Sequence, residues 1–211
     1  QDEMGLFQEW FCGRLLEIRL SAAELQLVED CQQLLTDSAL DQPRVVVHRD
    51  YHSRNLMVPA KPLDAAAPGH AEAQGPGVID FQDAVSGPYT YDLVSLLRDC
   101  YISWPLPYVQ ALALHYKLQA EDAGVISGIT EARFFRDFDL MGMQRHLKVM
   151  GIFSRLCIRD NKPQFLADIP LTMRYFLSVA ETYPEFSALL DWFQERVRPL
   201  AERRLSNGAV G

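Results

Sequence analysis

The sequence predicts an α+β fold, mostly α-helical, with a few short strands gathered around one loop. Three observations carry this. Long stretches repeat apolar residues at three- and four-residue steps, the period of a helix buried on one face. Only three runs read as short strands: Val45-Val46-Val47, Leu56-Met57-Val58 and Gly77-Val78-Ile79. Each has acidic or amide residues at or near one end, Asp50, Asn55 and Asp80, and strand ends are places where a fold holds such groups rigidly.

In chain order, Met4, Phe7, Trp10, Phe11, Leu15 and Ile18 form one apolar face and predict a helix over 4–18. Ser21-Ala22-Ala23-Glu24 has the form of a capping box, and Leu25, Val28, Cys31 and Leu35 continue one stripe, so a second helix follows and ends over Asp37 to Pro43. Residues 59–77, rich in Ala, Pro and Gly with Asp64, His70 and Glu72 among them, read as a flexible insert between two strands. Gly87-Pro88-Tyr89 reads as a turn before a helix over Thr90 to Arg98. Asp92 stands at that helix start, where a carboxylate satisfies free N–H groups or braces the preceding loop. Helical stripes then cover Pro107 to Ala123, Phe134 to Leu156 and Pro184 to Leu205, with Pro199 expected to kink or end the last. Its arginines Arg198, Arg203 and Arg204 suit a solvated helix end.

Composition bounds the function. With 211 residues, 48% hydrophobic and 23% charged, the chain suits one globular domain. A net charge of -8 argues against nucleic acid or an anionic membrane as the main partner. No apolar run approaches the ~20 residues that span a bilayer, and Gln1-Asp2-Glu3 does not open a signal peptide, so a cytoplasmic setting is expected. Cys12, Cys31, Cys100 and Cys157 lie far apart with no Cys-x-x-Cys pair, the pattern of buried reduced thiols rather than a metal site or disulfides.

The loop between the strands carries the chemistry. His48-Arg49-Asp50, four residues, Asn55, then an apolar run ending in Asp80 is the pattern of a kinase catalytic loop and its second metal-holding aspartate. Phosphoryl transfer needs one carboxylate to accept the proton of the attacking hydroxyl and cations to offset phosphate charge. Asp50 is the candidate base. Asn55 and Asp80 are candidate ligands of Mg2+, which takes a few hard oxygens and fills its shell with phosphates and water. His52 is placed to donate to the phosphate of ATP, and His48 to support the loop. The plainer alternative, a turn with a buried histidine and a capping aspartate, requires four spaced residues and their flanking strands to coincide by chance.

Two further groups have double readings. Asp83 either contacts metal or acceptor or closes a turn. Arg145 projects from the apolar stripe Met141, Val149, Ile152 and Leu156, with Gln144, His146 and Lys148 beside it. An inward cation needs a polar or anionic partner. Arg145 and His146 either recognise a carboxylate or polyhydroxyl acceptor, or Arg145 closes an internal salt bridge, the commoner fate of such a charge.

No lysine precedes Lys61, Gly5 and Gly13 lie within a helical pattern, and nothing before Val45 alternates like a sheet. The glycine-rich hairpin and strand lysine that clamp ATP are thus not found. Residues 1–211 are expected to form a C-terminal catalytic and substrate lobe, with the N-terminal lobe of the same protein as its partner. Gln82 replaces the glycine of Asp-Phe-Gly and no Ala-Pro-Glu follows, so a switchable activation segment is not expected.

Together, the His-x-Asp…Asn loop, Ile79-Asp80-Phe81-Gln82-Asp83 and the Gly87-Pro88 to Asp92-Leu93 helix entry resemble the aminoglycoside phosphotransferase and choline kinase superfamily. The resemblance covers essentially the whole chain and implies the protein-kinase-like C-terminal lobe of that fold, with Asp50 as base and Asn55 and Asp80 on magnesium. Tyr91-Asp92-Leu93-Val94-Ser95-Leu96-Leu97-Arg98-Asp99 and Met141 to Lys148 look like the branch that phosphorylates the anomeric hydroxyl of N-acetylmuramate and N-acetylglucosamine in cell-wall recycling. His-Arg-Asp replaces the His-Gly-Asp usual in drug-modifying members. The competing readings are a kinase of another alcohol, and a lobe that binds a sugar or partner without transferring phosphate.

Overall fold

The structure is a computed structural model that describes residues 4–58 and 76–207. The insert expected over 59–77, with His70, therefore lies outside the described residues except for Pro76 and Gly77.

The chain opens with a helical segment whose middle, Phe7–Leu15, is a wide π-helix rather than the regular α-helix expected. The same side chains still go inside: Phe7, Phe11, Cys12 and Leu15 are buried. Helix α1 spans Ala22–Leu40, ending within the stretch expected from Asp37 to Pro43, and its capping box is complete. The Glu24 N–H donates to Ser21 Oγ at 3.3 Å, and the Ser21 N–H donates to Glu24 Oε2 at 2.7 Å.

Strands β1 (Arg44–Val47), β2 (Leu56–Met57), β3 (Gly77–Val78) and β4 (Val85–Pro88) form two antiparallel pairs, β1 with β4 and β2 with β3. Gly87 and Pro88, read from sequence as a turn, are strand residues, with Val45 opposite Gly87 and Arg44 opposite Pro88. Glycine is needed there because a Cβ on Gly87 would meet Val47 Cγ2 at 3.1 Å. Proline is tolerated at the end of a strand pair.

Helices α2 (Tyr91–Leu97), α3 (Leu106–Asp122), α4 (Glu131–Ile158), α5 (Ile169–Ala180), α6 (Ser187–Trp192) and α7 (Arg198–Asn207) make up the rest, with a 3₁₀ stretch over Pro163–Asp168. The last helix does not end at Pro199 but runs on to Asn207. A π-helical stretch, Phe193–Val197, precedes it, and proline is accepted in the first turn of α7, where its missing N–H is not needed.

The 28 residues of α4 extend about 42 Å and serve two cores. Its first turns pack Phe134, Phe138 and Met141 with Tyr89, Val94, Val109 and Ala113. Later turns pack Met143, Leu147, Met150 and Phe153 against Phe7, Phe11, Phe176 and Phe193. The opening segment lies so close to α4 that a Cβ on Gly151 would stand 2.5 Å from the Leu6 carbonyl carbon. Arg98 ties α2 to α4 through Asp139, which also accepts from Tyr183 Oη at 2.7 Å. Among the described residues no helix is long and apolar enough to cross a membrane.

Candidate active site

β1 leads directly into His48-Arg49-Asp50, and the loop is clamped from across the chain. Asp92, inside α2 rather than capping it, accepts from the His48 N–H at 2.6 Å and from the Arg49 N–H at 3.1 Å. This clamp holds Arg49 at φ 77°, a left-handed conformation that costs a non-glycine residue about 1–2 kcal/mol. Burial pushes the Asp92 carboxyl above its ordinary range, opposed by the two N–H bonds that stabilise the charged form. The His48 ring is edge-on to Tyr51 at 5.9 Å, and neither of its nitrogens has a hydrogen-bond partner among the described residues.

The Asp50 carbonyl accepts twice, from the His52 N–H at 3.0 Å and from Asn55 Nδ2 at 3.0 Å. One 3₁₀ turn, Ser53–Asn55, makes this possible, and a fully buried acid, Asp99, anchors it. Asp99 Oδ2 accepts from the Ser53 N–H at 3.0 Å and from Ser53 Oγ at 2.6 Å, while Oδ1 accepts from the Tyr101 N–H at 3.1 Å. Sequence reasoning gave Asp99 no role. The available signal was a carboxylate just past the end of an apolar helix, next to Arg98.

The β2–β3 pair then returns Asp80 to Asn55. The Ile79 N–H donates to the Asn55 carbonyl at 3.2 Å, and Asn55 Nδ2 lies 3.5 Å from Asp80 Oδ2. Asp80 sits at φ 69°, with Gln82 Nε2 donating to its other oxygen. Among the described residues no group of three or more His, Cys, Asp or Glu could hold a metal. Asn55 and Asp80 instead offer a two-residue oxygen set, the kind of site that suits Mg2+ completed by phosphate and water rather than an all-protein cage.

A cavity of about 460 Å³ lies beside the loop, and Asp50, His52, Asp83, Tyr101, Arg145 and Lys148 are among its walls. The His52 ring stands edge-on to Tyr101 at 5.6 Å. Its pKa falls below the ordinary imidazole range, mainly through burial and partly through the cations Arg145 and Arg54, against the pull of Asp99 and Asp50. His52 is therefore a neutral ring at pH 7, with one N–H to donate.

Asp50, His52, Asp83 and Arg145 are thus brought to one cavity, with Asn55 and Asp80 joined at the adjoining hairpin. His146 is not brought there. It is fully buried and stacked on Tyr175 at 5.3 Å, with Nε2 3.4 Å from the Arg98 carbonyl. Burial, with Arg98 and Arg145 nearby, lowers its pKa to about 3, so the ring serves packing. Among the described residues the internal salt bridge considered for Arg145 does not form either: its Nη2 donates to the Ser95 hydroxyl at 2.7 Å.

The phosphotransferase enzyme family model matches residues 5–127. The N-acetylmuramate/N-acetylglucosamine kinase of Pseudomonas putida is 44% identical over 187 residues, covering 89% of this chain and 51% of the relative. The protein of the same name from Neisseria meningitidis serogroup B is 41% identical, covering 89% and 52%. That from Caulobacter vibrioides is 30% identical, covering 94% and 50%. The chain spans about half the length of the curated relatives it matches.

Proposed function

The chain belongs to the phosphotransferase enzyme family, and from that premise we propose that it forms the catalytic and acceptor-binding lobe of an ATP-dependent sugar kinase. The acceptor is the anomeric hydroxyl of N-acetylmuramate or N-acetylglucosamine, the sugars in its relatives' names. The observation that carries this reading is the doubly held Asp50 carbonyl and the Asp92 clamp, which together fix Asp50 at the wall of a sugar-sized cavity.

In this reading the Asp50 carboxylate takes the proton of the attacking hydroxyl, and the neutral His52 ring donates its N–H toward the transferring phosphate. Asn55 and Asp80 would hold magnesium, which would supply positive charge to offset that of the phosphates. Asp99 and Asp92 act through the loop, fixing where Asp50 stands. A reaction that consumes ATP supports a cytoplasmic setting.

The nucleotide also needs a clamp, which we assign to an N-terminal lobe of the same protein outside these residues. Around the strands Val46 is 84% exposed, Val58 85% and Phe81 70%, an apolar surface that suits coverage by such a lobe. The test is turnover by the protein carrying its upstream coding sequence, on both sugars, an aminoglycoside and choline. We expect the N-acetylated sugars to be the substrates and Asp50→Ala to abolish transfer; an Asp50→Ala variant as active as its parent would sink the mechanism. Sugar binding indifferent to nucleotide and magnesium, with no turnover, would favour a non-catalytic binding lobe.

A further inference from the structure

One cation in the cavity has more hydrogen-bonding capacity than its surroundings use. Arg145 is 6% exposed, yet its Nη1 is buried with no hydrogen-bond partner, and the residue forms no ion pair among the described residues. Among the described residues its one hydrogen bond is from Nη2 to the Ser95 hydroxyl. A buried guanidinium keeps five N–H donors, and leaving one unmet is costly unless something else arrives to accept it. Asp92 lies within its field but is occupied by the two loop N–H groups.

The same cavity shows the sign of what should arrive. Arg155 also lines it, and among the described residues its Nε is likewise buried without a partner. Two guanidiniums with unmet donors in the wall of one cavity favour an anionic occupant. Asn55 and Asp80 are not among the cavity's walls, so the magnesium-bound phosphates sit on the hairpin side and only the transferring phosphate meets His52 in the cavity. Arg145 is left to an anion on the acceptor.

We propose that Arg145 is the seat for a non-reacting carboxylate on the acceptor, making it a specificity-determining residue that favours acidic over neutral N-acetylated amino sugars. This rests on the sugar-kinase reading above. N-acetylmuramate carries such a carboxylate on its lactyl ether, where N-acetylglucosamine has only a hydroxyl. A guanidinium takes a carboxylate through two parallel N–H bonds, and the free Nη1 beside the Ser95-bound Nη2 leaves that fork available.

The experiment is calorimetric titration of the protein carrying its upstream coding sequence, with magnesium and a non-hydrolysable ATP analogue present, against N-acetylmuramate, its lactyl amide and N-acetylglucosamine. The parent should bind the acid about 10- to 100-fold more tightly than the amide, the ratio expected for a charge-assisted hydrogen bond. Arg145→Met should collapse that ratio and Arg145→Lys should restore part of it. A parent that binds acid and amide equally overturns the proposal, and needs no variant to fold. So does an Arg145→Met variant that melts like its parent and keeps the preference. If inorganic phosphate binding is what Arg145→Met removes while the acid-to-amide ratio stands, the residue serves phosphate and the proposal falls. A parent that binds none of the three sugars refutes the sugar-kinase reading itself, an outcome separate from equal binding of all three.

Discussion

Replacing Asp92 by asparagine tests how the loop is held. The carboxylate takes two backbone N–H groups, of His48 at 2.6 Å and of Arg49 at 3.1 Å. Asparagine keeps one acceptor oxygen and turns an NH2 toward the other N–H, so one bond to a charged group is lost and one backbone donor is left unpaired. Such losses are worth about 2–4 kcal/mol. Burial already disfavours the Asp92 charge, as its raised pKa shows, so removing that charge offsets part of the loss. The net expectation for Asp92→Asn is a destabilisation of about 1–3 kcal/mol. Urea titration of the chain measures it, and amide exchange at His48 and Arg49 locates it: both N–H groups should lose protection while α4 keeps its own. A change below about 0.5 kcal/mol, within the range of an ordinary surface substitution, with exchange unaltered, would refute the clamp.

Other consequences can be checked on the same chain. Gly151→Ala drives a Cβ to within 2.5 Å of Leu6 backbone and should cost about 1–3 kcal/mol in a thermal or urea melt. Gly5→Ala, with nothing within 4 Å of the new Cβ, should be neutral or stabilising by a few tenths to about 1 kcal/mol; equal effects at the two sites would contradict the packing of the opening segment on α4. The His146 pKa of about 3 lies below its ordinary 6.5, so the unfolded chain takes up this proton first and stability drains away as pH falls from 6.5 toward 3. At pH 5 this amounts to roughly 2 kcal/mol, and His146→Phe, which keeps the stack on Tyr175, should flatten the pH profile of stability by about that much. Cys12, Cys31 and Cys100 are buried, with Cys31 and Cys100 pushed up to about 12 by burial, whereas Cys157 is partly exposed. A thiol-specific reagent at pH 8 should therefore label Cys157 promptly and the other three only in denaturant; rapid labelling of all four in the native state would contradict the packing.

What the sequence determined by itself was local and periodic. The Ser21–Glu24 capping box, the stripe of α4, the short strands and the spacing from His48 through Asn55 to Asp80 all follow from backbone period, cap chemistry and motif spacing, which neighbouring residues set among themselves. What only the tertiary structure decided involves partners distant in the chain. Asp92 reaches back 44 residues to the His48 N–H, which decides for the brace over the cap that its position left open, and Asp99 reaches 46 to anchor Ser53, a role its own neighbourhood does not show. The turn read at Gly87 became a strand because β1 lies against it, with Val47 filling the space a side chain would need. Arg145 and His146, adjacent on one helix, part company: one faces the cavity and leans on Ser95, the other is sealed against Tyr175. Helical period places a residue on a face, but the direction and company of its side chain depend on which elements pack against that face, and that is settled only when the whole chain has folded.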